Sequence, residues 1–149
     1  MNQLNYKRPV AIYVHGLASG AAATTFRSFK KHFTQFERIS DDLGERIGDN
    51  VRLLNKMVQE HHPALIIGTS LGGLTLIYAN APSAIKIAIN PALSIAQCVR
   101  HKIGTGVHPY FCPRKDGRKE FELTENMCKS YQRYINTHHP QYGLFNYAI

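Results

Sequence analysis

The chain has 149 residues, 44% of them apolar and 19% charged, about one domain's length and too apolar for a disordered chain. No apolar run approaches the ~20 residues of a membrane span. Eighteen Lys and Arg against ten Asp and Glu give a formal charge of +8, an excess that bears on anionic partners but not on fold.

Several broad classes recede at this level. Three cysteines (Cys98, Cys112, Cys128) cannot all pair within one chain and form no Cys-x-x-Cys, so reduced thiols are expected. Met1 to Pro9 passes directly into a short apolar run without a long h-region or cleavage site, so no signal peptide is expected and the expected compartment is the cytoplasm. The basic residues come in twos (Lys30-Lys31, Arg114-Lys115, Arg118-Lys119) and are not interleaved with aromatics. That pattern does not suit a single-strand-binding face, and no nucleic-acid partner is expected.

The first element is Val10-Ala11-Ile12-Tyr13-Val14, bounded by Pro9 and Gly16. Continuous apolarity over five residues predicts a strand covered on both faces. Ala21 to Phe33 reads as a helix with Phe26, Phe29 and Phe33 on one face. Phe36 to Ser40 is a weaker strand, closed by Asp41-Asp42-Leu43-Gly44. Ile47, Val51, Leu54 and Val58 recur at steps of 4, 3 and 4, which predicts a helix ending near His61-His62-Pro63.

A second buried strand, Ala64 to Ile67, runs directly into Gly68, and Leu71 to Asn80 reads as a helix stopped by Pro82. Ile85 to Ile89 is a third strand, ending at Asn90-Pro91. Strands alternating with helices predict right-handed βαβ crossovers and a mostly parallel sheet with helices on both faces. Beyond Ala92 the pattern predicts a helix from about Leu93 to Lys102, a loop over Gly104–Gly117, and a last helix from Thr124 to Thr137 with Thr124 as its cap. The segment from Tyr142 reads as the opening of a further strand. The whole chain, 1–149, is expected to be one domain in which 92–140 forms a helical and loop, cap-like segment.

Chemistry enters at Gly68-Thr69-Ser70-Leu71-Gly72, the Gly-x-Ser-x-Gly spacing of a nucleophile elbow. A serine lifted off a sheet on so tight a turn needs glycine two residues to either side, because side chains there would collide. The same turn is not a phosphate cradle: no lysine lies between Gly68 and Ile85, and Gly-x-Gly-x-x-Gly is absent. His15-Gly16-Leu17-Ala18-Ser19 follows the first strand and would present the Leu17 amide to the site. The Leu71 amide, opening the helix after Ser70, would be a second donor to a developing oxyanion. In this arrangement His15 is structural.

These two motifs, with Ala88-Ile89-Asn90-Pro91-Ala92 after them, resemble the α/β-hydrolase superfamily and more closely its small bacterial YqiA/YcfP-like esterase branch. The resemblance covers roughly the first two-thirds of the chain. It implies an α/β three-layer sandwich with Ser70 as nucleophile toward a small ester or thioester substrate, with no metal and no organic cofactor.

An activated serine also needs a histidine base and an orienting carboxylate, following it in the order acid then histidine. The resemblance places the acid just past a strand beginning near Tyr142. No carboxylate and no Gly-His follows there before Ile149, so neither partner is identified. Asp116 with His138 or His139 has the right order, yet Asp116 reads as an exposed turn. His138-His139-Pro140 and His61-His62-Pro63 read as helix ends. Cys98, His101, His108 and Cys112 are zinc-ligand types at a spacing that is not a common zinc signature.

The chain thus reads as a serine hydrolase, incomplete at its C-terminal half-site, with an exposed sheet edge that favours self-association. Two alternatives stay open: a hydrolase fold kept for binding or interaction, and an anion- or nucleic-acid-binding basic protein.

Overall fold

A computed structural model describes residues 7–141 and the strand pair 144–145. Five strands form one sheet in the order β2-β1-β3-β4-β7: β1 (Val10–Val14), β2 (Glu37–Ile39), β3 (Leu65–Thr69), β4 (Ile85–Ile89) and β7 (Leu144–Phe145). Every pairing is parallel. The expected further strand is present, with Leu144 opposite Ile85 and Phe145 opposite Lys86.

Parallel neighbours need crossovers, and α1 (Thr24–His32), α2 (Ile47–His61), α3 (Leu71–Tyr78) and α5 (Glu125–Thr137) are carried on them. The alternation along β1 divides the core. Val10, Ile12 and Val14 meet Leu54 and Met57 of α2 and Leu76 of α3. Ala11 and Tyr13 point the other way and pack on Phe26 and Phe29 of α1. Residues of α2, α3 and α5 share a third cluster that includes Ala88 of β4. The result is the three-layer α/β sandwich, with α1 on one face and α2, α3 and α5 on the other. Ile12 and Ile66, both 0% exposed at its centre, each contribute about 1.5–3 kcal/mol through burial.

Three details differ from the sequence expectation. The helix expected over 93–102 is a short α4 (Ile95–Cys98) that widens into a π-helical turn at Val99–Ile103. Gly104, at φ +89, closes that turn by donating its N–H to the Val99 carbonyl at 2.8 Å. The expected loop over 104–117 contains β5 (Gly106–Pro109), which pairs antiparallel with β6 (Glu120–Leu123). Phe121 and Leu123 are buried while Glu120 and Glu122 face out, so the hairpin closes over the α5 side of the core. Finally, α1 starts at Thr24 rather than Ala21, because Ala23 is held extended at its N-cap. The Thr124 cap forms as expected, its hydroxyl accepting the Met127 N–H. Among the described residues, no helix is long and apolar enough to cross a membrane.

Candidate functional site

Ser70 sits between the last residue of β3 and the first of α3, with φ 52° and ψ −117°. Positive φ is costly for a residue with a Cβ, about 1–3 kcal/mol, and persists only where surroundings impose it. Here three backbone hydrogen bonds do so. The Ser70 N–H donates to Ile89 O, and the Ser70 carbonyl accepts from both Leu74 and Ala92, all at 3.0 Å. The side chain is exposed.

The flanking glycines allow the chain to cross itself. A Cβ on Gly68 would lie 2.5 Å from the Gly72 carbonyl oxygen, and one on Gly72 would lie inside the carbonyl of Val14. The first turn of helix α3 therefore presses against the end of β1, and all eight residues of the helix are buried. On its far side, Gly73 approaches Pro91, whose Cα would be 3.2 Å from an added Cβ. Asn90, at φ 44°, makes the bend that brings Pro91 and Ala92 there. The sequence marks Asn90-Pro91 as a strand end and Asn90-Pro91-Ala92 as part of a resemblance, and the structure adds that these residues brace the Ser70 turn.

The His15–Ser19 turn runs beside the serine. A Cβ on Gly16 would be 3.3 Å from Ser70 Cβ and 3.8 Å from Ser70 Oγ. Leu17 and Ser70 line one cavity of about 350 Å³, walled by Pro91, Leu93, Ile95, Cys98 and Ile103. Leu71 is the first residue of α3, where an N–H has no partner inside the helix and the helix dipole is positive. Among the described residues, neither the Leu17 nor the Leu71 N–H donates to a backbone carbonyl outside the helices and strands. The corner thus gathers an exposed serine, a cavity lined mainly by apolar residues and the first residue of a helix.

His15 is 2% exposed. Its Nε2 accepts the Leu43 N–H at 2.8 Å, and its Nδ1 lies 2.8 Å from the Gly16 carbonyl. An acceptor at Nε2 and a donor at Nδ1 define a neutral imidazole. Burial, the main influence, lowers its pKa from 6.5. Both ring nitrogens are occupied in holding backbone.

The other candidates for base and acid face elsewhere. Asp116 is bound by Arg114 and Arg118, and hydrogen bonds from Arg114, then from the Arg118 backbone, hold its carboxyl far below the usual carboxylate range. His138 stacks on Tyr134 with ring centroids 3.7 Å apart, its Nδ1 near the Tyr134 carbonyl. His61 and His62 are exposed at the end of α2. Among the described residues, the hydrogen bonds made by histidines go to backbone and to Thr137, none to Ser70.

Among the described residues, no three His, Cys, Asp or Glu are grouped to hold a metal ion. His108 Nε2 meets the Gly104 carbonyl at 2.9 Å, and its ring lies against Phe121. Sequence reasoning also passed over Lys86, which is 1% exposed on the α3 side of β4. Its Nζ donates to Ala79 O at 2.5 Å and Gln141 O at 3.0 Å, and burial lowers its pKa to about 8. Strand alternation in Ile85-Lys86-Ile87-Ala88-Ile89 was the available signal, since it puts Lys86 on the face of Ala88.

No curated protein matches the chain. A protein-family model, described only as an uncharacterised protein family (UPF0227), matches residues 10–141.

Proposed function

The chain belongs to the uncharacterised protein family UPF0227, and from that premise we propose that it is a serine hydrolase of carboxylic esters or thioesters with Ser70 as nucleophile. The observation that carries this reading is the φ of +52° that lifts the Ser70 side chain into a cavity shared with Leu17. The resemblance to YqiA/YcfP-like esterases in the motifs around Gly16, Ser70 and Pro91 supports it.

In the proposed reaction the acyl group rests against Leu93, Ile95 and Ile103, with the carbonyl carbon above Ser70 Oγ. Oγ bonds to that carbon and its proton passes to a base. The carbonyl π electrons move to oxygen, where the Leu17 and Leu71 amides receive the charge. Each such donor contributes about 3–4 kcal/mol to the transition state. Collapse expels the alcohol or thiol, which takes up a proton, and water then repeats the sequence on the acyl-serine to release the acid. The segment 92–140 is the proposed cap over this site.

A second reading, a binding module that keeps the pocket without hydrolysis, is favoured by one observation. Among the described residues no histidine hydrogen-bonds to Ser70. A fluorophosphonate probe separates the two. Covalent labelling at Ser70, lost in Ser70→Ala, supports the hydrolase; an unlabelled wild-type protein that still binds apolar esters supports the binding module.

A further inference from the structure

The turn that carries Leu17 is gripped from outside, and the grip converges on one buried arginine. The Arg114 side chain is 1% exposed. Its Nη1 donates to the carbonyls of Ser19 and Leu43, each at 2.9 Å. Nη2 and Nε turn to Asp116 at 3.1 and 3.3 Å, and the Tyr110 ring lies 4.3 Å beneath the guanidinium. Leu43 is thereby held at both ends, since its N–H already donates to His15 Nε2. The His15 ring in turn meets Gly16 O.

Three further bonds surround this grip, one directly from the loop to the turn and two through Asp42. Phe111 donates its N–H to the carbonyl of Ala18 at 2.7 Å, where the backbone has φ 61°. Asp42 accepts the N–H groups of Ala21 at 2.7 Å and Lys115 at 2.5 Å. Carbonyls on either side of Leu17 (Gly16, Ala18, Ser19) are therefore all engaged, while among the described residues its own N–H donates to no backbone carbonyl outside the helices and strands. A peptide plane whose neighbours are fixed has little freedom to turn its N–H away.

We propose that Arg114 is a positioning residue, which clamps the 15–19 turn so that the Leu17 N–H is held toward Ser70 Oγ. The clamp stands on its own geometry, and its catalytic consequence rests on the hydrolase reading. A buried guanidinium suits the task because its planar fork reaches two carbonyls and a carboxylate at once, which a single ammonium does not.

The test compares wild type, Arg114→Lys and Ser70→Ala by two measurements: hydrolysis of p-nitrophenyl acetate, and amide hydrogen exchange at Ala21, Leu43 and Phe111. In Arg114→Lys, kcat should fall about 10- to 100-fold, less than for outright loss of an oxyanion donor, with KM within about threefold. Exchange at those three amides should quicken by about tenfold or more while amides of α5 change little. Unchanged exchange overturns the clamp whatever the activity. Faster exchange with unchanged kcat in an active enzyme overturns its part in catalysis. A wild type that neither hydrolyses ester nor takes the fluorophosphonate defeats the hydrolase reading instead, and the exchange data still decide the clamp. Should Arg114→Lys not fold, the wild type decides: slowly exchanging Arg114 guanidinium protons support the clamp, and exchange at the rate of a free guanidinium overturns it.

Discussion

Ala92 donates its backbone N–H to the carbonyl of Ser70, so the end of β4 is fastened to the turn at the end of β3. The serine's conformation is therefore a property of two strands and not of its own pentapeptide alone. Neighbouring close approaches make this arrangement sensitive to single carbon atoms, and they rank two otherwise similar substitutions. Gly72→Ala sets a Cβ inside the Val14 carbonyl, where only backbone could yield, and should cost about 3 kcal/mol or more. Gly73→Ala sets a Cβ 3.1 Å from the Gly68 carbonyl oxygen and 3.2 Å from Pro91 Cα, approaches that shifts of a few tenths of an ångström relieve, and it gains helix propensity, so it should cost at least about 1 kcal/mol less than Gly72→Ala. Urea unfolding of both variants checks the order; equal losses would refute it.

Ser70 is held at a positive φ, and glycine tolerates such a backbone without penalty from a Cβ. Ser70→Gly should therefore raise stability by about 1 kcal/mol while ending hydrolysis, a trade typical of strained reactive positions. Ser70→Ala should end hydrolysis without that gain. Thermal melts beside an ester assay test this, and a Ser70→Gly protein no more stable than Ser70→Ala would contradict it.

His15 is neutral and buried, with a folded-state pKa below 6.5. The unfolded chain then binds the proton more readily than the folded one. Stability from this group is fully present above pH 6.5 and is lost as pH falls through the folded value. Urea midpoints measured from pH 7.5 down to 5 should drop, and His15→Gln should show a flatter decline. Parallel curves for the two proteins would show that His15 is not responsible.

Lys86 titrates in another window. Its folded pKa is about 8 against an ordinary 10.5, because burial disfavours the ammonium. The unfolded state holds the proton more tightly between those values, so this group's contribution to stability should rise as pH increases from about 8 towards 10.5. Comparing wild type with Lys86→Met between pH 7.5 and 9.5 isolates the effect from tyrosine ionisation. The difference between their unfolding free energies should shift in favour of wild type as pH rises; a constant difference would refute the assignment.

What could be read beforehand was mostly local. Runs such as Val10–Val14 and Ile85–Ile89 announce buried strands because parallel sheets are covered on both faces. Gly68 and Gly72 announce a tight crossing because no other residue fits. The β5–β6 hairpin was hidden because Gly106 and Pro109 are poor strand formers, placed there by pairing with Glu120–Leu123 and not by propensity. The π-helical turn depends on a bond between Val99 and Gly104, five residues apart, which leaves no periodic trace. Arg114 resembled any basic residue in a polar loop, since nothing nearby in sequence indicates that its acceptors are Ser19 and Leu43.

The eight-residue α3 has no polar side and begins with two consecutive glycines after Leu71. Isolated helices shorter than ~12 residues are marginal in water even with favourable composition, so this one exists only while the sheet beneath it does. On the hydrolase reading, reactivity at position 70 and global cooperativity should be two readouts of one transition. Heating should silence the serine at the melting temperature itself, with no inactive yet folded species preceding it.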